Sequence, residues 1–585
     1  MSGRGDHETP GVIGSGRSTG RPPVIGREAA VSTGHPLATL AAMRILDGGG
    51  NAIDAGVAAG LALGVLQPDI VGCAGVAPII LYLADAAEVV TISGLGRWPR
   101  RADIGFFERH ANGELPLGVL RSVVPASIDA WVTALEEFGT RSFADVATAA
   151  FELAEQGFAA HELLCTTIAE DQALYAKWPS SAAVFLRDGR PPSVGEPFRQ
   201  PDLARTIWRL MEAERREGAD RRAGLRAVRK EFYDGAIAEE IAAFYQREGG
   251  LLSAQDLREF RVGIEAPVST SFRGYEVYSC GAWCQGPVLL EFLNMLEDDD
   301  FQTIGCNSPD YIHLVTEVMK LGFADREAYF GDPDFVDVPL RRLLDKGYAK
   351  DRRREVSLDQ AWPAMPPPGD VGRSVEPTRV KPSAGPGHSK GAPDTTYLCV
   401  VDKYGNAFSA TPSDGYSTAP VLPGLGFAVS PRGDQSWLEP GHASALAPWK
   451  RPRLTPNPAL ALKDGKLALV FGTPGGDVQC QAMLQFLMNT VVFGMNPQAA
   501  IETPRFATYS FPNSFYPHHS EPGMLRLETE LRAAACDLEQ KGHRVELWPQ
   551  RFWRAGGLCA IVIDEKTAYR MAGADPRREC YALAW

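Results

Sequence analysis

The sequence is organised around residues 394–411, which read DTTYLCVVDKYGNAFSAT. Residues 396–401 are rich in β-branched and aromatic side chains, which is typical of a strand. A turn-forming run, Lys403-Tyr404-Gly405-Asn406, and a second short strand-like run follow, so the pattern predicts a β-hairpin. A Pro/Gly/Ser-rich segment ends directly before it. A flexible stretch is therefore predicted to stop where a buried strand begins.

Thr395 lies at this boundary and has a special chemistry if the chain is cut before it. The cut would give one residue both a hydroxyl and a free α-amine, whose pKa is about 8. Such an amine can act as general base for its own hydroxyl. This is the chemistry of an N-terminal nucleophile hydrolase. Taken alone, the stretch is equally compatible with an ordinary exposed hairpin.

Composition narrows the class of protein. The chain has 585 residues, 45% of them hydrophobic and 22% charged, which fits a soluble globular protein of two domains or one large composite unit. The formal charge of −13 argues against nucleic acid as a partner. No apolar run is long enough for a membrane span. The ten cysteines show no short paired spacing and are expected to be reduced thiols.

Two segments are predicted to be flexible. Residues 1–24 are polar and rich in Gly, Arg and Ser, and they lack the apolar core of a signal peptide. We interpret them as a disordered tail and expect a cytoplasmic protein. Residues 362–394 are unpatterned and Pro/Gly/Ser-rich, which indicates a mobile linker.

A second strand–turn–strand pattern is followed by a glycine-rich turn. Residues 460–462 and 467–471 are strand-like and are joined by Lys463-Asp464-Gly465. The chain then enters Gly472-Thr473-Pro474-Gly475-Gly476-Asp477, and a helix is predicted from about Val478 to Phe493. Two adjacent glycines before a helix allow backbone N–H groups to approach a ligand closely. A plain tight turn is the alternative interpretation.

Motifs spread along the chain resemble those of one family. From about His35 to Tyr581 the sequence is similar to the γ-glutamyltransferase (γ-glutamyltranspeptidase) family of N-terminal nucleophile hydrolases. Each motif is weak alone, but their order and spacing together are specific. They are Gly50–Ala55, Phe232–Gly235, Gly249–Leu252, Ala324–Arg326, Tyr329–Val336, Thr395–Thr396, Val400–Asp402, Gly405–Asn406, Gly472–Gly476, Pro504–Phe506 and Gly573–Arg577.

The resemblance implies an α+β fold, a four-layer αββα sandwich, and self-cleavage between Asp394 and Thr395. Residues 25–394 would form a large subunit and residues 395–585 a small one, associated as a heterodimer or a higher oligomer. Thr395 would be the nucleophile of an amide hydrolase or acyltransferase, which needs no metal or other cofactor. By the same resemblance, the backbone N–H groups of Gly475 and Gly476 would hold the oxyanion. Ser413, or alternatively Thr411, would assist the nucleophile.

The positions that bind substrate in the family depart from its pattern. The family's arginine for the donor carboxylate aligns with Leu95, and Arg97 is displaced by two positions. Its asparagine, acidic pair and twin serines align with Gly415, Asp434-Gln435 and Leu454-Thr455. When a buried charge loses its charge-assisted hydrogen-bond partner, binding weakens by on the order of several kcal/mol. The sequence therefore keeps the catalytic residues of the family but lacks most of the residues that bind the α-amino and α-carboxylate groups of its substrate.

Three functional hypotheses follow. The first is an N-terminal threonine amidohydrolase with an altered acyl pocket, similar to relatives that act on oxamyl, oxalyl or cephalosporin-type groups. The second is a γ-glutamyl enzyme of glutathione metabolism that uses Arg97 and Asp434. The third is a non-catalytic binding relative, which intact Thr395, Gly475 and Gly476 argue against. Trp98, Trp283 and Trp437 are interpreted as an apolar wall of the site, with ordinary packing as the alternative.

Overall fold

The computed structural model describes residues 19–372 and 394–585. Within these ranges the chain forms nineteen β-strands. In chain order they are β1 Val24–Gly26, β2 Ala30–Thr33, β3 Ile79–Leu83, β4 Glu88–Ile92, β5 Phe158–Ala159, β6 Pro197–Phe198, β7 Ile264–Glu265, β8 Val268–Phe272, β9 Tyr275–Ser279, β10 Leu398–Val401, β11 Ala407–Ala410, β12 Ala459–Lys463, β13 Lys466–Gly472, β14 Phe506–Thr508, β15 Met524–Glu528, β16 Arg544–Trp548, β17 Cys559–Ile563, β18 Arg570–Ala574 and β19 Tyr581–Ala584.

Twenty α-helices accompany the strands in the described part of the chain. They are α1 Pro36–Asp47, α2 Ala52–Leu66, α3 Ile104–His110, α4 Ser127–Phe138, α5 Phe143–Gln156, α6 Glu162–Glu170, α7 Gln172–Tyr175, α8 Pro179–Phe185, α9 Pro201–Arg216, α10 Arg221–Tyr233, α11 Ala236–Arg247, α12 Ala254–Glu259, α13 Gly286–Met295, α14 Phe301–Ile304, α15 Pro309–Tyr329, α16 Leu340–Leu343, α17 Lys346–Arg354, α18 Val478–Leu487, α19 Pro497–Glu502 and α20 Ala535–Gln540. None of them combines the length and apolar character that a membrane span requires.

Two seven-stranded antiparallel sheets form the centre of the molecule. Their strand orders are β1-β18-β17-β13-β12-β9-β8 and β19-β2-β10-β11-β3-β4-β7. Alternate side chains of a strand point to opposite faces. Accordingly, Tyr397, Cys399 and Val401 pack with Val470 and Ile561 of the other sheet in one buried core between the sheets.

Helices cover the two outer faces. Leu398 and Val400, the other face of β10, pack in a core with helices that include α2, α4 and α5. On the opposite side, Leu469 and Phe471 of β13 pack in a second core with α13, α15 and α18. The layers are therefore helix, sheet, sheet and helix, and the predicted αββα sandwich is confirmed.

The predicted hairpin is present, with Leu398 opposite Ala410 and Val401 opposite Ala407. Asp402 stabilises its turn, because the carboxylate accepts from the backbone N–H groups of Tyr404 and Asn406 at 2.9 and 3.0 Å. The hairpin lies between β2 and β3, near the middle of its sheet. This position brings the start of β10, and with it Thr395, into the interior.

Parts of both segments predicted to be flexible contact the body of the protein. In the predicted tail, Gly20 donates its N–H to Glu502 at 2.7 Å, and Val24 begins β1. In the predicted linker, Trp362 donates its N–H to Glu317 at 2.8 Å and Gly369 donates to Asp325 at 2.7 Å. These buried carboxylates provide partners that composition does not reveal. Residues 1–18 and 373–393 lie outside the described residues.

Candidate active site

Backbone pairing sets the position of Thr395. Thr395 forms an isolated antiparallel bridge with Ser413, in the register of the hairpin and three residues beyond its last pair, Leu398 and Ala410. The Ser413 N–H donates to the carbonyl of Val76 at 3.0 Å, and the Thr396 N–H donates to Pro412 at 3.1 Å. Both Thr395 and Ser413 are fully buried. The two hydroxyls therefore face each other on a rigid sheet extension.

Three oxygens form a chain at the bond between Asp394 and Thr395. The Ser413 hydroxyl donates to the carbonyl oxygen of Asp394 at 2.6 Å. Thr395 Oγ1 lies 2.8 Å from Ser413 Oγ. A serine hydroxyl has one hydrogen to donate, so the Thr395 hydroxyl is the donor to Ser413. Ser413 thus polarises the Asp394 carbonyl and accepts from the group that would attack it.

Arg432 is a site residue that sequence reasoning missed. Its guanidinium is fully buried and donates to Ser413 Oγ and to the Asp414 carboxylate, and it lies 3.5 Å from Thr455 Oγ1. The available signal was an arginine in a polar run only two positions before Asp434. The cation holds Ser413 in place next to Thr395.

Gly475 and Gly476 form the turn between β13 and α18. Their φ angles are +122° and +56°, in the region that favours glycine. The carbonyl of Gly476 accepts from Gln285 Nε2 at 3.0 Å, which fixes the peptide plane. Both glycines line an open cavity of about 90 Å³ together with Asp394. The structure therefore brings the glycine pair and the expected cleavage site to one cavity.

Arg578 is a second cation that sequence reasoning missed, although it directly follows the quoted motif Gly573–Arg577. Its Nη2 lies 2.7 Å from Asp394 Oδ2, and its Nη1 donates to the carbonyl of Thr395 at 3.3 Å. Its Nε donates to the carbonyl of Trp553 at 3.0 Å. The guanidinium is 2% exposed and lines the same cavity. It therefore orients both residues of the expected cleavage site.

Three of the predicted substrate-binding residues are engaged elsewhere. Arg97 pairs with Asp334 at 2.6 Å and donates to the Trp449 carbonyl at 3.0 Å. Leu454 is buried in an apolar cluster with Leu95, Trp283 and Cys284. A Cβ on Gly415 would lie 1.7 Å from the carbonyl oxygen of Asp69, so the backbone here is packed against backbone. None of the three lines the cavity beside Asp394.

The remaining candidates form a buried polar group around Arg432. Gln435 donates to Thr455 Oγ1 at 3.1 Å, and Asp434 lies 3.5 Å from Arg121. Burial raises the pKa of Asp434 to about 6, and the nearby Arg121 guanidinium offsets only part of that rise.

Thr411, the alternative to Ser413, is placed differently. Its Oγ1 is buried and has no hydrogen-bond partner within residues 19–372 and 394–585. Its backbone N–H donates to the Pro78 carbonyl at 3.1 Å, which extends the pairing of β11 with β3. Of the two hydroxyls, Ser413 is the one in contact with Thr395.

The predicted aromatic wall is mostly core. Trp98 and Trp283 are fully buried, and their indole N–H groups donate to Ser436 and Glu265 at 2.9 and 2.8 Å. Trp437 is stacked between His442 and His518, with ring centroids 4.3 and 4.0 Å away. Ordinary packing thus accounts for all three. The aromatic lining of the cavity comes from Tyr509, Phe515 and Trp553.

One group of metal-ligand type occurs among the described residues, formed by His313, Glu317 and His543. His313 Nδ1 lies 2.9 Å from His543 Nε2, and Lys320 Nζ pairs with Glu317 at 2.6 Å. The ammonium of Lys320 already neutralises the carboxylate that a cation would need. Hydrogen bonding and an ion pair therefore explain this group without a metal, and it contributes no atom to the cavity beside Asp394.

Comparison with known proteins gives a consistent result. A family model described as gamma-glutamyltranspeptidase matches residues 38–585. The glutathione hydrolase-like YwrD proenzyme of Bacillus subtilis (strain 168) is 32% identical over 96% of this chain and 99% of its own. The Acylase ACY 1 proenzyme of Pseudomonas sp. (strain V22) is 33% identical, over 93% and 91%. The crystal structure of cephalosporin acylase from Bacillus halodurans matches with a TM-score of 0.83 and 28% identity, over 98% of each chain.

Proposed function

Because this chain belongs to the gamma-glutamyltranspeptidase family of self-processing N-terminal nucleophile hydrolases, we propose that Thr395 is its nucleophile. The observation that carries this assignment is the oxygen chain from Thr395 through Ser413 to the Asp394 carbonyl. The same residue would act twice, first on its own chain and then on an amide substrate.

In the first reaction Thr395 Oγ1 attacks the carbonyl carbon of Asp394. Its proton passes to Ser413, which at the same time donates its own hydrogen to the developing oxyanion. As the C–N bond breaks and the carbonyl re-forms, the proton on the tetrahedral oxygen returns through Ser413 to the nitrogen of Thr395, and Asp394 becomes an ester on Thr395. Water then hydrolyses this ester, which leaves a carboxylate on Asp394 and a free α-amine on Thr395.

In the second reaction the free α-amine takes the hydroxyl proton while Oγ1 attacks the substrate's amide carbonyl. The N–H groups of Gly475 and Gly476 stabilise the oxyanion. The amide C–N bond breaks, and the departing amine receives the proton from the α-ammonium. Water, or an acceptor amine, then releases the acyl group from Thr395.

The first experiment is an intact mass spectrum of the purified protein together with N-terminal sequencing of the smaller fragment. We expect two fragments, the smaller beginning Thr395-Thr396-Tyr397, and a single uncleaved chain for Thr395→Ala. An uncleaved wild-type chain after long incubation would refute the assignment. Thr396→Ala is a suitable control, because it removes the neighbouring hydroxyl and leaves Thr395 intact.

The acyl group is a separate question. A γ-glutamyl group is the first candidate, since one relative is named glutathione hydrolase-like. A different acyl group is the second candidate, and the engagement of Arg97 with Asp334 and the apolar surroundings of Leu454 favour it. Parallel assays with γ-glutamyl and other acyl p-nitroanilides decide between them. Exclusive cleavage of the γ-glutamyl compound would rule out the second candidate.

The assembly and location of the enzyme also belong to this proposal. The two fragments would stay associated after cleavage, because strands from both sides of residue 394 share each large sheet. A cytoplasmic location and a role in glutathione metabolism stay predictions. Fractionation of the source cells, with activity assays on each fraction, tests the location.

A further inference from the structure

The cleavage residue itself occupies the candidate substrate cavity. Asp394 lines the cavity with Gly475 and Gly476, and its carboxylate is paired with Arg578 at 2.7 Å. In the self-processing reaction Asp394 supplies the acyl group that Thr395 accepts. The chain therefore contains its own first acyl donor, and this donor carries a carboxylate that a buried cation recognises.

Cleavage changes the surroundings of Arg578. Asp394 becomes the end of the large subunit and is no longer tethered to Thr395. If it leaves the cavity, the 2% exposed guanidinium of Arg578 loses the carboxylate that neutralises it. An unpaired charge at such a buried position is unfavourable. The mature cavity is thus left with a preformed binding site for an anion.

The other charged groups of the cavity do not supply Arg578 with a new carboxylate partner. Asp477 is already paired with Arg326 at 2.5 Å and accepts from Ser514 at 2.6 Å. Arg554 is a further cation of the lining, with its guanidinium 4.3 Å from the ring centroid of Trp553. Trp553 also faces the guanidinium of Arg578 at 5.3 Å, so an aromatic ring supports the cation from one side.

We propose that Arg578 of the mature enzyme binds a carboxylate on the acyl group of the substrate, and that the substrates are half-amides of short dicarboxylic acids. The proposal rests on Thr395 as nucleophile. In Asp394 two carbons separate the reacting carbonyl from the carboxylate, which sets the length of a succinyl group. A neutral acyl group of equal length would leave Arg578 unpaired.

The first test compares three p-nitroanilides with the processed wild-type enzyme. Succinyl-p-nitroanilide carries the carboxylate, the 4-amino-4-oxobutanoyl compound is its neutral isostere, and the butyryl compound lacks the polar group. One charge-assisted hydrogen bond predicts a kcat/KM that is roughly 10- to 100-fold higher for the succinyl compound. Equal kcat/KM values for the succinyl compound and its neutral isostere would overturn the proposal.

The second test replaces the cation. Arg578→Gln should remove the preference for the succinyl compound, so that the ratio of its kcat/KM to that of the neutral isostere falls to about one. Arg551→Gln is the matched control, since Arg551 is exposed and pairs with Glu502 at 3.0 Å, outside the cavity lining. If Arg578→Gln is not processed, Arg578→Lys takes its place; lysine keeps the charge but lacks the planar fork of N–H donors, so the preference for the succinyl compound should be reduced and not abolished. A parallel loss for all three compounds in the processed variant would overturn the proposal.

Errors in the Thr395 assignment and in the Arg578 assignment would give different results. If the Thr395 assignment is wrong, no fragment beginning at Thr395 appears and no acyl p-nitroanilide is turned over through an ester on that residue. If only the Arg578 assignment is wrong, the enzyme is processed and hydrolyses amides, but the charged and neutral succinyl isosteres react alike.

Discussion

At the scale of single residues, the direction of the hydrogen bonds in the site follows from the single hydroxyl hydrogen of Ser413. Ser413 can donate once, and it donates to the Asp394 carbonyl at 2.6 Å, which leaves Thr395 as the donor at 2.8 Å. Arg432 adds a fixed donor to the same oxygen and so restricts how Ser413 can rotate. A buried cation, a hydroxyl and a carbonyl thus define the direction of proton transfer.

Removal of the Ser413 hydroxyl should slow self-cleavage. Ser413→Ala loses both the proton acceptor of Thr395 and the donor to the Asp394 carbonyl, so we expect a rate lower by about 100-fold. Thr411→Val, which removes a hydroxyl without a partner in the described chain, should leave cleavage near the wild-type rate. Time courses by gel electrophoresis measure both. A slow Thr411 variant beside a normal Ser413 variant would reverse the assignment.

Asp434 should make stability depend on pH. Burial raises its folded pKa to about 6, above the ordinary value of about 3.9. Ionisation therefore opposes folding: the penalty is absent below about pH 4 and complete above about pH 6, with a size of ~3 kcal/mol. Urea unfolding should show that the free energy of unfolding of the wild type falls relative to that of Asp434→Asn as the pH rises from 4 to 7. Parallel pH profiles would contradict the prediction.

At the scale of elements, close backbone contacts position the loop that carries Ser413 and Arg432. Gly75 and Gly415 are two of these contacts, because a Cβ on either would lie 2.2 or 1.7 Å from a carbonyl oxygen of the opposing segment. The loop between β11 and β12 is therefore packed backbone to backbone against the segment after α2. Side-chain alignment alone suggests a substrate-binding role for Gly415, whereas packing explains the glycine.

Gly415→Ala should destabilise the protein strongly. The added methyl group must displace the carbonyl of Asp69, which is backbone, so we expect a loss of at least about 2 kcal/mol in the free energy of unfolding. Gly441→Ala is the matched control, because nothing lies within 4 Å of its added Cβ. Thermal and urea unfolding compare the two. Equal stability of both variants would show that the loop relaxes freely.

At the scale of the whole molecule, the expected cleavage site lies between strands that are interleaved. The β10–β11 hairpin follows residue 394, yet it is inserted between β2 and β3, which precede it. In the other sheet β12 pairs with β9 across the same boundary. Cleavage of one peptide bond therefore removes no strand pairing.

The two fragments should behave as one folded unit after cleavage. Native mass spectrometry should give a mass equal to the sum of both fragments in a one-to-one complex. Separation should require denaturant concentrations that also unfold the sheets, because each sheet contains strands of both fragments. Thr395→Ala, the intact chain, is the control with the same fold. Fragments that separate in buffer without loss of secondary structure would contradict the prediction.

The sequence by itself determined the hairpin at residues 394–411 and the glycine turn before α18, because local periodicity and turn residues carry this information. The layered fold followed only from the resemblance of the ordered motifs to one family. The sequence did not determine Arg432 or Arg578 as site residues. Arg578 lies 183 positions from Thr395, and Arg432 lies 19 positions beyond Ser413 in the same loop between β11 and β12. Only the tertiary structure decided which charges are paired, since a buried charge needs partners from distant segments that composition and spacing do not specify.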